Sequence, residues 1–352
     1  MTICRHFGIC GGCAYQEMPD DAYRALKRGF VVDALARHGF SDADVRGTIE
    51  VLPRTRRRAS FKAVKRGGET LVGFHAAQSH SIVDMRECLV LTPNLFGAVA
   101  HLRELVGAIL SDGEDAEIHA TDSDTGLDIA LRWQRKLNPA LSTQIIDWAA
   151  RHQFARVTSN GEIATEFATP GVSFGKARVA LPPESFLQST QDGEAALQGF
   201  VREAIRNSKS VADLFAGLGT FTFIVAEKAR VHAVEQDKKA LAVLSDAARN
   251  AQGLKPITTE VRDLFKQPVN GDELKPFDAV VLDPPRSGAL AQAKALAESK
   301  VKRIAYISCN ADTFARDARM LVNGGYKLGT VVPVDQFLWS SHIELAASFK
   351  RS

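Results

Sequence analysis

The sequence predicts an α/β protein in two parts: an α+β region over 1–183, then a doubly wound, mostly parallel sheet with an antiparallel edge over 184–352. Three observations carry this expectation. Short β-branched strands at 211–214, 231–234, 257–261, 279–282 and 303–308 alternate with helix-length segments, the pattern of parallel strands joined by crossover helices. The first strand runs into Val211-Ala-Asp-Leu-Phe-Ala-Gly-Leu-Gly-Thr, where Gly217 and Gly219 let the backbone turn sharply and approach a ligand at a helix N-terminus. Before Pro182-Pro183 that alternation is missing, and 352 residues suit two cores better than one.

Composition narrows the class without naming a partner. The chain is 45% hydrophobic and 24% charged, as in ordinary globular proteins. It has neither the run of ~20 apolar residues that spans a membrane nor a signal peptide in Met-Thr-Ile-Cys-Arg-His, so a cytoplasmic protein with no membrane partner is expected. A formal charge of +3 neither requires nor excludes nucleic acid. Five cysteines, an odd number, argue against a disulfide framework.

Taken in order, the N-terminal elements begin with Cys4-Arg-His-Phe-Gly-Ile-Cys10-Gly-Gly-Cys13. With Cys88 these give four soft ligands, which suit an iron–sulfur cluster or zinc in a closed structural site, and spacing leaves that choice open. Tyr23, Leu26, Phe30, Val31, Ala34 and Leu35 recur at helical spacing over 20–40, in a helix free to pack on the second domain. The run 53–66 holds seven basic residues and no acid, and Arg56, Arg57 and Arg58 lead it as RNA-phosphate contacts. Strands at 71–74, 118–120, 127–133 and 172–179 and helices at 95–110 and 141–151 follow without a chemical motif. The acidic stretch 112–128 reads as a solvated loop and hairpin.

In the second domain the strand ends form one site, because ligands of doubly wound sheets sit there. Glu235 is placed to accept ribose hydroxyls and Asp263 to meet an adenine edge. Asp283-Pro-Pro-Arg-Ser-Gly is a rigid turn that projects its carboxylate into the cleft. Cys309, between Ser308 and Asn310 and just before a helix, is expected to be a thiolate lowered by the helix dipole. Glu344, among apolar residues of an edge hairpin formed by 328–333 and 343–349, is expected to have a raised pKa and to serve as a base, with His342 a weaker second.

These motifs together resemble the RNA uracil-C5-methyltransferase family over most of the chain. The elements that match are the four cysteines, Phe186-Leu-Gln188, the glycine loop, Asp283-Pro-Pro-Arg-Ser-Gly, Ser308-Cys309-Asn310 and His342-Ile-Glu344. The resemblance implies a Rossmann-like class I methyltransferase domain using S-adenosyl-L-methionine, with a [4Fe-4S] cluster on Cys4, Cys10, Cys13 and Cys88. It implies cofactor contacts at Gln188, Phe215, Thr220, Glu235, Asp263 and Asp283, beside the Gly217 cradle, with Asp283 also facing the uracil. Cys309 would add to carbon 6, the enolate would take the methyl group, and Glu344 would remove the carbon-5 proton. The favoured substrate is 23S rRNA, since the familiar bacterial tRNA enzyme lacks the cysteines. The rivals are a tRNA uracil-5-methyltransferase and a non-catalytic iron–sulfur RNA-binding protein. Arg286 in place of an aromatic argues against amine methylation, and Pro284-Pro285 in place of Pro-Cys against cytosine. Many relatives carry an N-terminal β-barrel RNA-binding domain before the cysteines, which this chain is expected to lack, and the chain also departs from the family pattern in Thr55, Thr190 and Ala216. A monomer without an obligate protein partner is expected.

Overall fold

The computed structural model describes residues 3–351. Its larger sheet has eight strands in the order Ile49–Glu50, Lys327–Asp335, Glu344–Lys350, Arg303–Ser308, Ala279–Leu282, Ser210–Leu214, Arg230–Glu235, Ile257–Val261. All run parallel except Glu344–Lys350, which is antiparallel to both neighbours. Ser210–Leu214 and Ala279–Leu282 are buried at every residue, as parallel strands covered on both faces must be. Chain order reverses around Ser210–Leu214, which pairs with Arg230–Glu235 on one side and Ala279–Leu282 on the other. That reversal opens a crevice beyond the carboxyl ends of the strands.

The antiparallel pair at the end of the chain forms, but it is not the edge. Ile49–Glu50 adds outside it, in parallel register with Val334 and Asp335. Helix Asp20–Arg37 lies with the same sheet, its Val31 and Leu35 sharing one core with Leu282, Phe314 and Leu345. Residues 20–50 therefore pack as part of the sheet built by the second half of the chain. The opposite face of the sheet is closed by helix Gln191–Ala204 through Leu197 and Val201.

The second sheet has seven strands, Ile82–Asp84, Glu69–His75, Arg58–Arg66, Asp115–Ser123, Gly126–Arg132, Arg156–Ser159 and Glu162–Glu166. Helices Pro93–Ile109 and Pro139–Arg151 pack on it around Phe61, Leu102, Ile118 and Trp148. Each starts with a side-chain cap, Thr92 or Asn138, followed by proline, a residue pair that satisfies one free N–H and removes another. The basic run thus supplies an interior strand, Arg58–Arg66, hydrogen-bonded on both edges. The strand expected over 172–179 is two, Gly171–Phe174 and Ala177–Ala180, in a hairpin that turns at Gly175. Among the described residues no helix is long and apolar enough to cross a membrane.

Candidate active site

The glycine loop leaves a carboxylate and an open floor. Asp213 is fully buried; Thr222 Oγ1 donates to its Oδ2 at 2.5 Å, while Oδ1 has no partner among the described residues. Burial pushes its carboxyl up to about 7. Phe215 has φ of 64°, and Gly219 could not be replaced, since a Cβ there would lie 2.6 Å from the Phe223 ring. Gly217 instead faces open space. Its N–H donates to Glu235 Oε2 at 3.0 Å, and Glu235 Oε1 accepts from Gln236 N and Asp237 N at 2.7 and 2.9 Å. The second strand's terminal carboxylate is therefore locked against the loop. Asp263 accepts from Phe265 N at 3.0 Å and pairs with Lys266, and the Phe215 and Phe265 rings stand 5.4 Å apart beside it. Thr220 borders the loop, its carbonyl accepting from Gln198.

Across the crevice the strand ends bring Asp283, Cys309 and Glu344 to one place. Glu344 is 3% exposed; burial first, and then Asp283, raise its carboxyl, and burial and Asp213 raise that of Asp283. The expected thiolate at Cys309 is overturned: burial, Glu344 and Asp283 push the thiol up to about 11. Removal from water and two neighbouring carboxyl groups both oppose a negative sulfur. The helix behind it, Ala311–Asn323, is capped by Asn310, whose Oδ1 accepts from Asp312 N and Thr313 N. Asn310 Nδ2 and Thr313 Oγ1 both donate to the Arg286 carbonyl, at 3.3 and 3.2 Å, and so tie the Asp283 turn to the cysteine loop. His342 contacts Arg286; burial and that guanidinium lower its pKa.

Two buried residues that sequence reasoning missed join these groups. Gln336 Nε2 donates to Gln188 Oε1 at 2.7 Å and to Glu344 Oε2 at 3.2 Å. Gln188 Nε2 donates in turn to Asp283 Oδ2 at 3.3 Å. Lys27 is fully buried, 2.8 Å from Asp335, and donates to the carbonyls of Phe337, Ser340 and His342. The signal for Gln336 was present in Asp335-Gln336, a polar pair closing an apolar strand that runs parallel to the others. Treating that strand as half of an edge hairpin hid it.

The three arginines expected to face RNA phosphates have other duties. Arg57 is 4% exposed, paired with Glu194 at 2.6 Å and donating to the Gln188 carbonyl at 3.1 Å, so it is not available to phosphate. It holds the Gln188 turn against helix Gln191–Ala204. Arg56 is half-buried beside Cys13 and Cys88, its guanidinium 5.9 Å from the Phe337 ring. Arg58 lies 4.4 Å over Phe186, which is 64% exposed. Of the three, Arg57 alone is withdrawn from phosphate, while Arg56 and Arg58 stay half-buried, just before and at the start of the strand Arg58–Arg66.

Cys4, Cys10, Cys13 and Cys88 line one cavity of about 340 Å³, whose wall also includes Phe337, Leu338, Ser340 and His342. Among the described residues no three of their sulfurs lie within 4.8 Å of one another, as the ligands of a single ion would. Burial raises all four thiols, Cys13 to about 12. Gly12 N donates to Cys10 Sγ at 3.4 Å.

Known proteins match this arrangement over nearly the whole chain. Residues 176–352 match the model of the tRNA (Uracil-5-)-methyltransferase family. An uncharacterised RNA methyltransferase of Brucella melitensis is 45% identical over 98% of this chain and 83% of its own. The 23S rRNA (uracil(1939)-C(5))-methyltransferase RlmD of Thiobacillus denitrificans is 33% identical over 99% of this chain and 85% of its own. The solved Pyrococcus abyssi tRNA (uracil-54, C5)-methyltransferase, in complex with S-adenosyl-L-homocysteine, superposes with a TM-score of 0.76 at 21% identity. It covers 96% of this chain and 85% of that one. The chain therefore belongs to the tRNA (Uracil-5-)-methyltransferase family, enzymes that methylate RNA uracil at carbon 5 with S-adenosyl-L-methionine.

Proposed function

We propose that this protein methylates carbon 5 of a uridine in 23S rRNA through a covalent adduct with Cys309. The observation that carries the chemistry is the placement of Cys309 against Asp283 and Glu344, both with raised carboxyl groups, across from the glycine crevice. The residues fit S-adenosyl-L-methionine: Asp213 Oδ1 is a buried acceptor without a donor, Gly217 leaves open space, and several carboxyl groups suit a cationic ligand. When bound it supplies an electrophilic methyl group on a sulfonium. The 33% identical RlmD supports 23S rRNA as the substrate.

Carbon 5 of uracil is a weak nucleophile and needs covalent activation. Cys309 Sγ adds to carbon 6 as its proton passes to Asp283. The enolate so formed puts electron density on carbon 5, which forms the bond to the methyl carbon while the sulfonium–methyl bond breaks. Glu344 then takes the carbon-5 proton, the carbon-6–sulfur bond breaks, and the sulfur regains the proton held by Asp283. The target base must leave its stack to reach the thiol, and exposed Phe186, backed by Arg58, offers a stacking face at the cleft.

Cys4, Cys10, Cys13 and Cys88 fit a [4Fe-4S] cluster. They line one cavity, four soft donors of the kind such a cluster takes. Arg56 beside them would offset thiolate charge. The cluster's part is structural, and no step of methyl transfer passes through it.

The test is transfer from methyl-labelled S-adenosylmethionine to 23S rRNA and to bulk tRNA from cells lacking this protein, with Cys309→Ala alongside. Label at carbon 5 of uridine in 23S rRNA, lost in Cys309→Ala, supports the reading. Label in tRNA alone would replace the substrate, and label surviving the substitution would overturn the covalent mechanism.

A further inference from the structure

We propose that Gln336 is a positioning residue that favours the ionised form of Glu344 for the carbon-5 proton and fixes which face of the Gln188 amide meets the cleft. The inference rests on the assignment of Glu344 as the base and goes beyond it, to the group that makes the base work.

The Gln336 side chain is 1% exposed, and its oxygen and both amide hydrogens are bonded. Ser189 N–H donates to its Oε1 at 3.0 Å. That N–H has no choice of polarity, so the amide oxygen must face it and the NH₂ group must face the other way. One amide hydrogen then goes to Gln188 Oε1 and the other to Glu344 Oε2. The consequence for Gln188 follows directly: with its oxygen occupied, its own NH₂ is turned to Asp283 and the cleft. A single backbone N–H thus sets the direction of a four-residue chain, Asp283, Gln188, Gln336, Glu344.

The place is built for this contact. Gly193 opens helix Gln191–Ala204 beside it, and a Cβ at that glycine would lie 2.8 Å from the Gln336 Cβ. Arg57 holds the Gln188 carbonyl on the other side. Glu344 otherwise faces little that favours its charge: Asp283 and the Cys309 sulfur oppose it, and Arg58, whose head lies over Phe186, is the cation near it. Among the described residues, the Gln336 donor is the neutral group bonded to the carboxylate.

A donor lost from a buried carboxylate favours the protonated acid. Gln336→Met and Gln336→Leu both remove it. Under saturating RNA and S-adenosylmethionine, the rising limb of kcat should move to higher pH by about one unit in either variant, an activity loss of roughly tenfold at pH 7. Because only proton removal from carbon 5 is slowed, the protein–RNA adduct resistant to denaturation should accumulate at pH 7 and disappear at pH 9. Melting temperature and calorimetric binding of S-adenosyl-L-homocysteine report whether a variant is folded. A folded variant whose kcat falls equally at every pH, or which accumulates no adduct, overturns the inference. If wild-type protein labels RNA but Glu344→Gln still turns over normally, the assignment of the base fails instead.

Discussion

At the Cys309 sulfur, neighbours and helix pull in opposite directions. A thiol at a strand end before a helix reads as a thiolate only while its other neighbours are unknown. Here burial comes first, then Glu344 and Asp283, brought in from segments distant in sequence, and together they win. The same crowding reaches Asp213, whose carboxyl is raised to about 7 by burial, against an ordinary value of about 4 in an unfolded chain. A carboxyl raised on folding stabilises the protein fully only below its unfolded value, and that contribution is lost as pH rises through about 7. Asp213→Asn keeps an acceptor for Thr222 and removes the charge. The ligand-free variant should therefore melt above wild type at pH 8 by about 2–4 °C and match it near pH 4. It should also bind S-adenosyl-L-homocysteine at least tenfold more weakly, because the unpartnered oxygen is gone. Parallel scanning calorimetry and titration check both, and a variant no more stable at pH 8 than wild type would contradict the argument.

Among the elements, those with strong local signals were legible. Short β-branched runs alternating with helix-length segments gave the parallel strands, and Thr92-Pro and Asn138-Pro start the two helices that cover the other sheet. What escaped depends on partners far along the chain. Ile49–Glu50 is too short to signal a strand, and exists because Lys327–Asp335 offers it a free edge. Lys27 looks like a surface lysine on helix Asp20–Arg37, yet its ammonium holds Asp335 and three carbonyls of the segment after that strand. Tyr23 from the same helix donates to Asp335 and accepts from Trp339 N at 2.7 Å. Lys27→Met would leave Asp335 charged and unpaired, at a cost of about 3–5 kcal/mol. Melting should fall by roughly 10 °C, and Asp335→Asn in the same chain should recover part of the loss. Thermal unfolding of the single and double variants decides it; equal stability of Lys27→Met and wild type would show that the ammonium holds nothing.

Over the whole molecule, the residues of the crevice could be collected from sequence because a doubly wound sheet delivers its strand ends to one side. The arginines could not be assigned, because a run of like charge does not say which way each side chain turns inside a sheet. The structure adds a connection between the two sites. The segment from Phe337 to His342 forms part of the wall around the four cysteines, Ala14 N and Tyr15 N donate to its Trp339 carbonyl at 2.7 and 3.2 Å, and two residues later it delivers Glu344. Burial makes these four thiols hold their protons, so a metal group bound there would have to displace them, and the binding energy left over would be folding energy for the loop that carries them. Removing the group should therefore loosen this segment while leaving the far strand Ile257–Val261 unchanged. With protein purified without oxygen, Cys88→Ser should lower iron per chain and speed amide hydrogen exchange of residues 337–342 by tenfold or more, with exchange over 257–261 as at present. Iron loss with unchanged exchange in 337–342 would mean that the cysteine loop and the catalytic segment are energetically independent.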